Sequence, residues 1–250
     1  IRYMNNPNNS IFNGVVKPQP KMYNGTHWMN QAQAQAQSQA LGFSGNGSNL
    51  YMHHNNGIMN YWFYLLVEGG SGTNDNGLAY NISPINTNTN NNQSSNALEN
   101  AIYVVFETFT EEFGKNDYTI KDFQNLRKAT MNVAFEKYGC NVWNTVRQAW
   151  DAVGVTGGTC EIAVNITTTC PSPSTCTANI TTCGGSATGT RIKISGGGLT
   201  APIKISATQH NETSLVCGNT YTVEVTDKNN PDECVIIKNF TCQASTTGSI

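Results

Sequence analysis

Charge is the first thing this chain has little of. Asp, Glu, Lys and Arg make up 12% of its 250 residues, about half of the ~25% usual in globular proteins, and they sum to −2. No basic field exists to hold nucleic acid or an anionic membrane, so neither is expected as a partner. Long apolar runs are missing too: a bilayer span needs ~20 apolar residues, and no stretch reaches that length. A basic and apolar leader is also absent. The chain opens at Ile1, and we expect a processed or truncated product from which any signal peptide and pro-segment have gone.

The residues of common catalytic motifs are equally sparse. There are four histidines, His27, His53, His54 and His210. None forms the His-Glu-x-x-His motif or an i, i+4 pair that would put two imidazoles on one helix face. His53 and His54 are adjacent, and adjacent helical positions diverge by ~100°, so they are poorly placed to share a metal. No metal site is expected within this chain. A Gly-x-Ser-x-Gly elbow is absent. Gly184-Gly185 and Gly196-Gly197-Gly198 lack the Lys-Ser/Thr of a phosphate loop, and Glu111-Glu112 read as a solvated helix face. Cys-x-x-Cys is missing as well, which removes the zinc-ribbon reading.

What the chain does have is cysteine in its second half. Cys160, Cys170, Cys176, Cys183, Cys217, Cys234 and Cys242 crowd there, and Cys140 stands near the end of the first half. Their Thr-, Ser- and Gly-rich surroundings favour disulfides made in an oxidising compartment. Seven leave one over, for which Cys140 is a partner; the 105 connectivities that eight cysteines allow stay open.

The first half reads as helical. Its centre is Met52 to Gly70, MHHNNGIMNYWFYLLVEGG. Asn55, Asn56 and Gly57 are start material for a helix that runs through Trp62 and Leu66 and stops at Gly69-Gly70. Its apolar residues cover nearly every face, which predicts burial on most sides. A histidine in its first turn would be held rigidly at a surface. The spacing of Ala97, Ala101, Val104, Val105, Phe109 and Phe113 predicts a helix over 96–113. A third spans 119–138, with Thr119 and Asp122 resembling a capping box, and a fourth spans 141–152. Four such helices make a lobe with its own core. Gln31 to Ala40, QAQAQAQSQA, fits either a short helix or an Ala-lined strand.

From Thr156 the composition shifts to Thr, Ser, Gly and Cys without helical periodicity. Strands are expected at 161–166, 191–195, 202–206, 221–226 and 234–240. Tyr221, Val223 and Val225 alternate with Thr222, Glu224 and Thr226, one dry face and one wet, as in a small β-sandwich. The fold class is therefore multidomain, α then β.

Several stretches of the first half resemble one family, the thermolysin-like neutral zinc metallopeptidases. Aligned on Gly57-Ile58-Met59-Asn60, the central stretch is similar to the family's D-N-G-G-V-H-x-N-S-G-I-x-N. The family's histidine then falls on His53 and its N-S-G on Asn55-Asn56-Gly57. Ile1 to Pro7, IRYMNNP, resembles L-R-S-M-S-D-P, whose arginine falls on Arg2. Asp117 to Lys128 resembles a S-N-F-x-x-L-R helix start, Glu136 to Gly139 resembles D-L-Y-G, and RQAWDAVGV (Arg147 to Val155) resembles K-Q-A-F-D-A-V-G-V.

The resemblance covers residues 1–155 and implies the helical C-terminal lobe of that family, with an insertion at about 29–48. It implies a catalytic role for His53, as transition-state donor, and a substrate-binding role for Arg2, on the substrate carbonyl. Zinc and the general base are implied only in an N-terminal lobe that this chain lacks, so no cofactor is expected within it. Two departures stand out: the aspartate that orients the histidine falls on Ser48, and its Gly-Gly on Leu50-Tyr51. Residues 156–250 are expected to be a Cys-rich linker and β-sandwich module, whose SGGGLTAPIKIS and YTVEVTDKN weakly resemble bacterial surface-adhesin repeats. The function expected is the C-terminal portion of a secreted thermolysin-like metallopeptidase homologue, not catalytic as this chain alone. Its partner would be the missing lobe, and its substrate a peptide. The alternative is an inactive structural or adhesive subunit of an extracellular or cell-surface assembly, meeting other copies of itself.

Overall fold

The computed structural model describes residues 4–12, 15–16, 18–42, 47–85, 96–113, 122–157, 161–185, 189–229, 231 and 234–243. They form two compact units, Ile1–Thr156 and Gly157–Ile250. The first is helical and the second is built of strands, with disulfides, as the composition shift predicts.

In the helical unit a turn of 3-10 helix, Pro7–Asn9, precedes a short ladder of β1 (Ile11–Phe12) with β2 (Val15–Val16). Six helices follow: α1 (Gln31–Ala40), α2 (Ser48–Asn55), α3 (Gly57–Glu68), α4 (Ala97–Phe113), α5 (Phe123–Tyr138) and α6 (Cys140–Ala152). A hairpin of β3 (Gly70–Thr73) and β4 (Ala79–Ile82) is inserted after α3.

The Gln/Ala stretch is the helix α1. Asn30 caps it by accepting from the Gln33 N–H at 2.9 Å, and the Gln33 side chain accepts from the Asn30 N–H at 2.8 Å. That reciprocal pair is a capping box.

The central stretch differs from its sequence reading. Asn55 to Gly57 do not start the apolar helix from a loop; α2 already occupies Ser48–Asn55, and Asn56 joins it to α3. His53 is therefore in the last turn of α2, not the first turn of α3. The joint is tight because Gly57 has no side chain: a Cβ there would meet the Pro20 carbonyl oxygen at 2.4 Å and the Gln19 Cβ at 2.9 Å. Helix α3 is buried as expected, with Ile58, Trp62, Leu65 and Leu66 all inaccessible.

Trp62 stacks on Trp150 of α6 with centroids 4.6 Å apart, and the Trp150 indole N–H donates to Thr130 Oγ1 of α5 at 2.9 Å. The third helix also begins later than read. Asp122 is its cap, accepting from the Asn125 N–H at 2.8 Å, whereas Thr119 lies outside the described residues. Gly139, at φ 76°, both ends α5 and opens α6. Only glycine adopts that backbone without strain.

The β unit holds two antiparallel sheets. One has β5 (Ile162–Ser172), β6 (Thr175–Gly184) and β9 (Gln209–Leu215) in the order β5-β6-β9. The other has β7 (Thr190–Gly196), β8 (Ile203–Ile205), β10 (Thr220–Asp227) and β11 (Val235–Thr241) in the order β11-β10-β7-β8. Val164, Ala178, Ile180 and Leu215 of the first share a core with Ile192, Ile194, Tyr221, Val223 and Val225 of the second. Burial alternates along β10 as the sequence requires.

Two disulfides, Cys170–Cys217 and Cys176–Cys242, tie distant points of this unit. Cys140, Cys183 and Cys234 are also disulfide-bonded, and no described cysteine is free. Among the described residues no helix is long and apolar enough to cross a membrane.

Candidate active-site segment

The segment that bears His53 is held from both sides by polar side chains that grip main-chain atoms. Gln19 is buried, and its Nε2 donates to the His53 carbonyl at 2.7 Å. The Gln19 N–H in turn donates to the Pro7 carbonyl at 3.0 Å. The chain leaving the Arg2 segment is thus tied to the histidine segment through one glutamine. Arg2 itself lies outside the described residues.

On the other side Asn55 is buried and clasps Met29 reciprocally. Its Nδ2 donates to the Met29 carbonyl at 2.7 Å, and its Oδ1 accepts from the Met29 N–H at 3.1 Å. Next to it, His54 Nε2 lies 2.8 Å from the His27 carbonyl, which places the proton on that nitrogen because a carbonyl only accepts.

These grips leave the His53 side chain exposed at the end of α2. None of the ion pairs among the described residues involves it. Trp28 packs on α2 through Tyr51: its ring meets Tyr23 at 4.8 Å and Tyr51 at 5.7 Å, both edge-on, and Phe123 lies 6.3 Å away. Tyr51 therefore fills, with an aromatic packed against Trp28, a position that the family pattern gives to glycine. Partial burial pushes the Tyr51 phenol up, Tyr23 adds to this, and a hydrogen bond with Asn55 opposes it. Helix α1 stands over the same corner. Gln33 and Gln37, one turn apart, line an open cavity of about 220 Å³ with His27, Trp28 and His54.

Sequence reasoning singled out His53 but not the residues that hold its backbone. Gln19 sits in an irregular stretch with no pattern to flag it, and His27 contributes only a carbonyl. Asn55 stands at the N of the family's N-S-G, which placed the residue without revealing its clasp on Met29. Ser48 takes part in α2, but its side chain lies outside what is described. Among the described residues, no group of three His, Cys, Asp or Glu side chains could hold a metal ion.

In this helical lobe an exposed histidine stands in the last turn of α2, directly ahead of the buried α3. Residues 1–155 match the profile described as the thermolysin metallopeptidase alpha-helical domain, and the chain belongs to that family. Its sequence is 34% identical over 115 residues to the transglutaminase-activating metalloprotease of Streptomyces mobaraensis. The match takes in 45% of this chain and 14% of that protein, so the chain spans a small part of the relative's length. No solved structure matches.

Proposed function

We propose that this chain is the C-terminal, substrate-facing portion of a secreted thermolysin-like metallopeptidase homologue, inactive by itself. In this reading His53 donates to the oxyanion of the tetrahedral intermediate and Arg2 to the carbonyl of the peptide on the leaving-group side. A fixed guanidinium fork suits that second task. Zinc and the general base come from an N-terminal lobe outside this chain. The observation that carries the reading is the Gln19 tether, which fixes the His53 backbone to the segment that follows Arg2 while leaving the imidazole exposed. The disulfides of the β unit fit an extracellular location.

A specific observation favours the alternative, a peptidase lobe kept as an inactive structural or adhesive part of an extracellular assembly. Leu50 and Tyr51 replace the family's Gly-Gly inside a helix, Tyr51 is packed on Trp28, and Ser48 stands where an aspartate would orient the histidine. A serine stabilises an imidazolium far less than a carboxylate does.

One experiment separates the two. The purified 250-residue chain, dialysed, is expected to hold no stoichiometric zinc and to leave casein intact; one bound zinc per chain would overturn the assignment. Expressed with the sequence that precedes Ile1, an active homologue cleaves casein, and His53→Ala lowers kcat by about a hundredfold, the usual loss for one oxyanion donor. An inert scaffold cleaves nothing in either form.

A further inference from the structure

The outer face of the four-stranded sheet carries a cluster that the peptidase reading does not use. Arg191 and Lys193 of β7 and Lys204 of β8 line an open groove of about 490 Å³, with Ile205, Ser206 and Thr226. The register sets Lys193 directly opposite Lys204 and directly opposite Glu224 on the other side. Lys193 Nζ bonds Glu224 at 3.0 Å. That one carboxylate is all the groove holds. In the neighbouring row Arg191 faces Thr226, and Ser206 follows the last paired residue on the other side. No described carboxylate pairs with Arg191 or Lys204.

Like charges set directly opposite each other on a sheet are destabilising; Glu224 offsets Lys193, and the groove still keeps two more cations than carboxylates. Lysine on an edge strand can serve to repel stray strands. That accounts for Lys204 alone, because β7 lies between β8 and β10 in the interior of the sheet. Among the described residues β8 ends the sheet and pairs with β7 alone, and the outer side of an edge strand offers N–H and C=O groups to a further strand. A strand laid beside it would put every second side chain on the cationic face, with a repeat of ~6.8 Å.

We propose that this groove binds an extended peptide carrying acidic residues at alternate positions, added as a fifth strand alongside β8. Its backbone continues the ladder, and its carboxylates complete the Lys204–Lys193–Glu224 row and meet Arg191. Affinity comes from the main-chain ladder and selectivity from the alternating charges, the division usual when a peptide joins a sheet edge. The site is independent of whether the helical unit supports catalysis.

The test uses the full 250-residue chain and a fluorescein-labelled eight-residue peptide alternating Glu and Thr, followed by fluorescence anisotropy at low salt. Saturable binding is expected. Arg191→Glu with Lys204→Glu should weaken it by about tenfold or more, while the charge-matched pair Lys128→Glu with Lys137→Glu in the helical unit leaves it unchanged. Circular dichroism confirms that both double variants keep their strand signal. The same peptide N-methylated at every residue keeps its charge but has no backbone N–H with which to extend a sheet, and it should bind at least tenfold more weakly. Equal binding of the methylated peptide, equal competition by polygalacturonate, or no binding at all would each overturn the proposal.

Discussion

Arg127 shows what single residues do in the helical unit. It is 2% exposed and sends Nη1 to the Arg147 carbonyl at 3.1 Å, the Val155 carbonyl at 2.8 Å and the Asp151 carboxylate at 3.0 Å. One guanidinium therefore closes the end of α6 back onto α5. Replacing it by methionine keeps the volume but takes the buried donor from the Val155 carbonyl and a partner from Asp151, which keeps its pair with Arg147, so Arg127→Met should cost about 3 kcal/mol. Urea denaturation followed by tryptophan fluorescence measures it, and a loss under ~1 kcal/mol would show that the oxygens find other partners. His53 behaves oppositely. Its side chain is exposed and the Gln19 contact is to its carbonyl rather than its imidazole, so His53→Ala should shift stability by no more than ~0.5 kcal/mol. Gln19→Ala, by contrast, removes a buried donor and should cost about 1–3 kcal/mol. Equal losses at the two positions would mean that the imidazole, not the backbone, is what holds the segment.

Elements differ in how plainly the sequence announces them. Helices α3 to α6 carry apolar residues at helical spacing, and their glycine and Asp/Asn ends were readable to within a few residues. Helix α2 was not: SNLYMHHN has no apolar stripe, and it starts from Gly47 in the left-handed region at φ 72°. Two strands escaped for a related reason. In β6 the buried side chains are Cys176, Ala178, Ile180, Thr182 and Cys183, so mostly small and hydroxyl groups are buried and the alternation of hydrophobicity fades. Strand β9, QHNETSL, buries only Leu215. The hairpin of β3 and β4 begins Gly-Ser-Gly-Thr, which reads as a loop. The charge of β9 gives it a pH signature instead. Burial pushes the Glu212 carboxyl up, but hydrogen bonds from the Ser214 hydroxyl and N–H, together with His210, outweigh this and hold it below its usual 4.5. A depressed folded value stabilises above 4.5 and ceases to do so as pH falls through the folded value. The urea midpoint of the β unit should therefore drop on acidification below about pH 4.5, and Glu212→Gln should flatten that slope.

At the scale of the whole molecule, the two units report to different probes. All four tryptophans, Trp28, Trp62, Trp143 and Trp150, belong to the helical unit, whereas the β unit contributes the strand signal in the far ultraviolet. Cys176 and Cys242 sit within the β core, and the two described bridges span 47 and 66 residues of sequence. Loops of that length gain most from closure, so losing such a bridge costs roughly 2–5 kcal/mol. Reduction with dithiothreitol should move the strand transition to much lower urea and the tryptophan transition less. If both moved equally, the division of the molecule into separately stabilised units would be wrong.

The Gln19 contact has one more implication. What that amide holds at position 53 is a carbonyl oxygen, which every amino acid possesses. Replacing the histidine leaves that acceptor in place, so the path of the backbone at the end of α2 is decoupled from the identity of the side chain it displays.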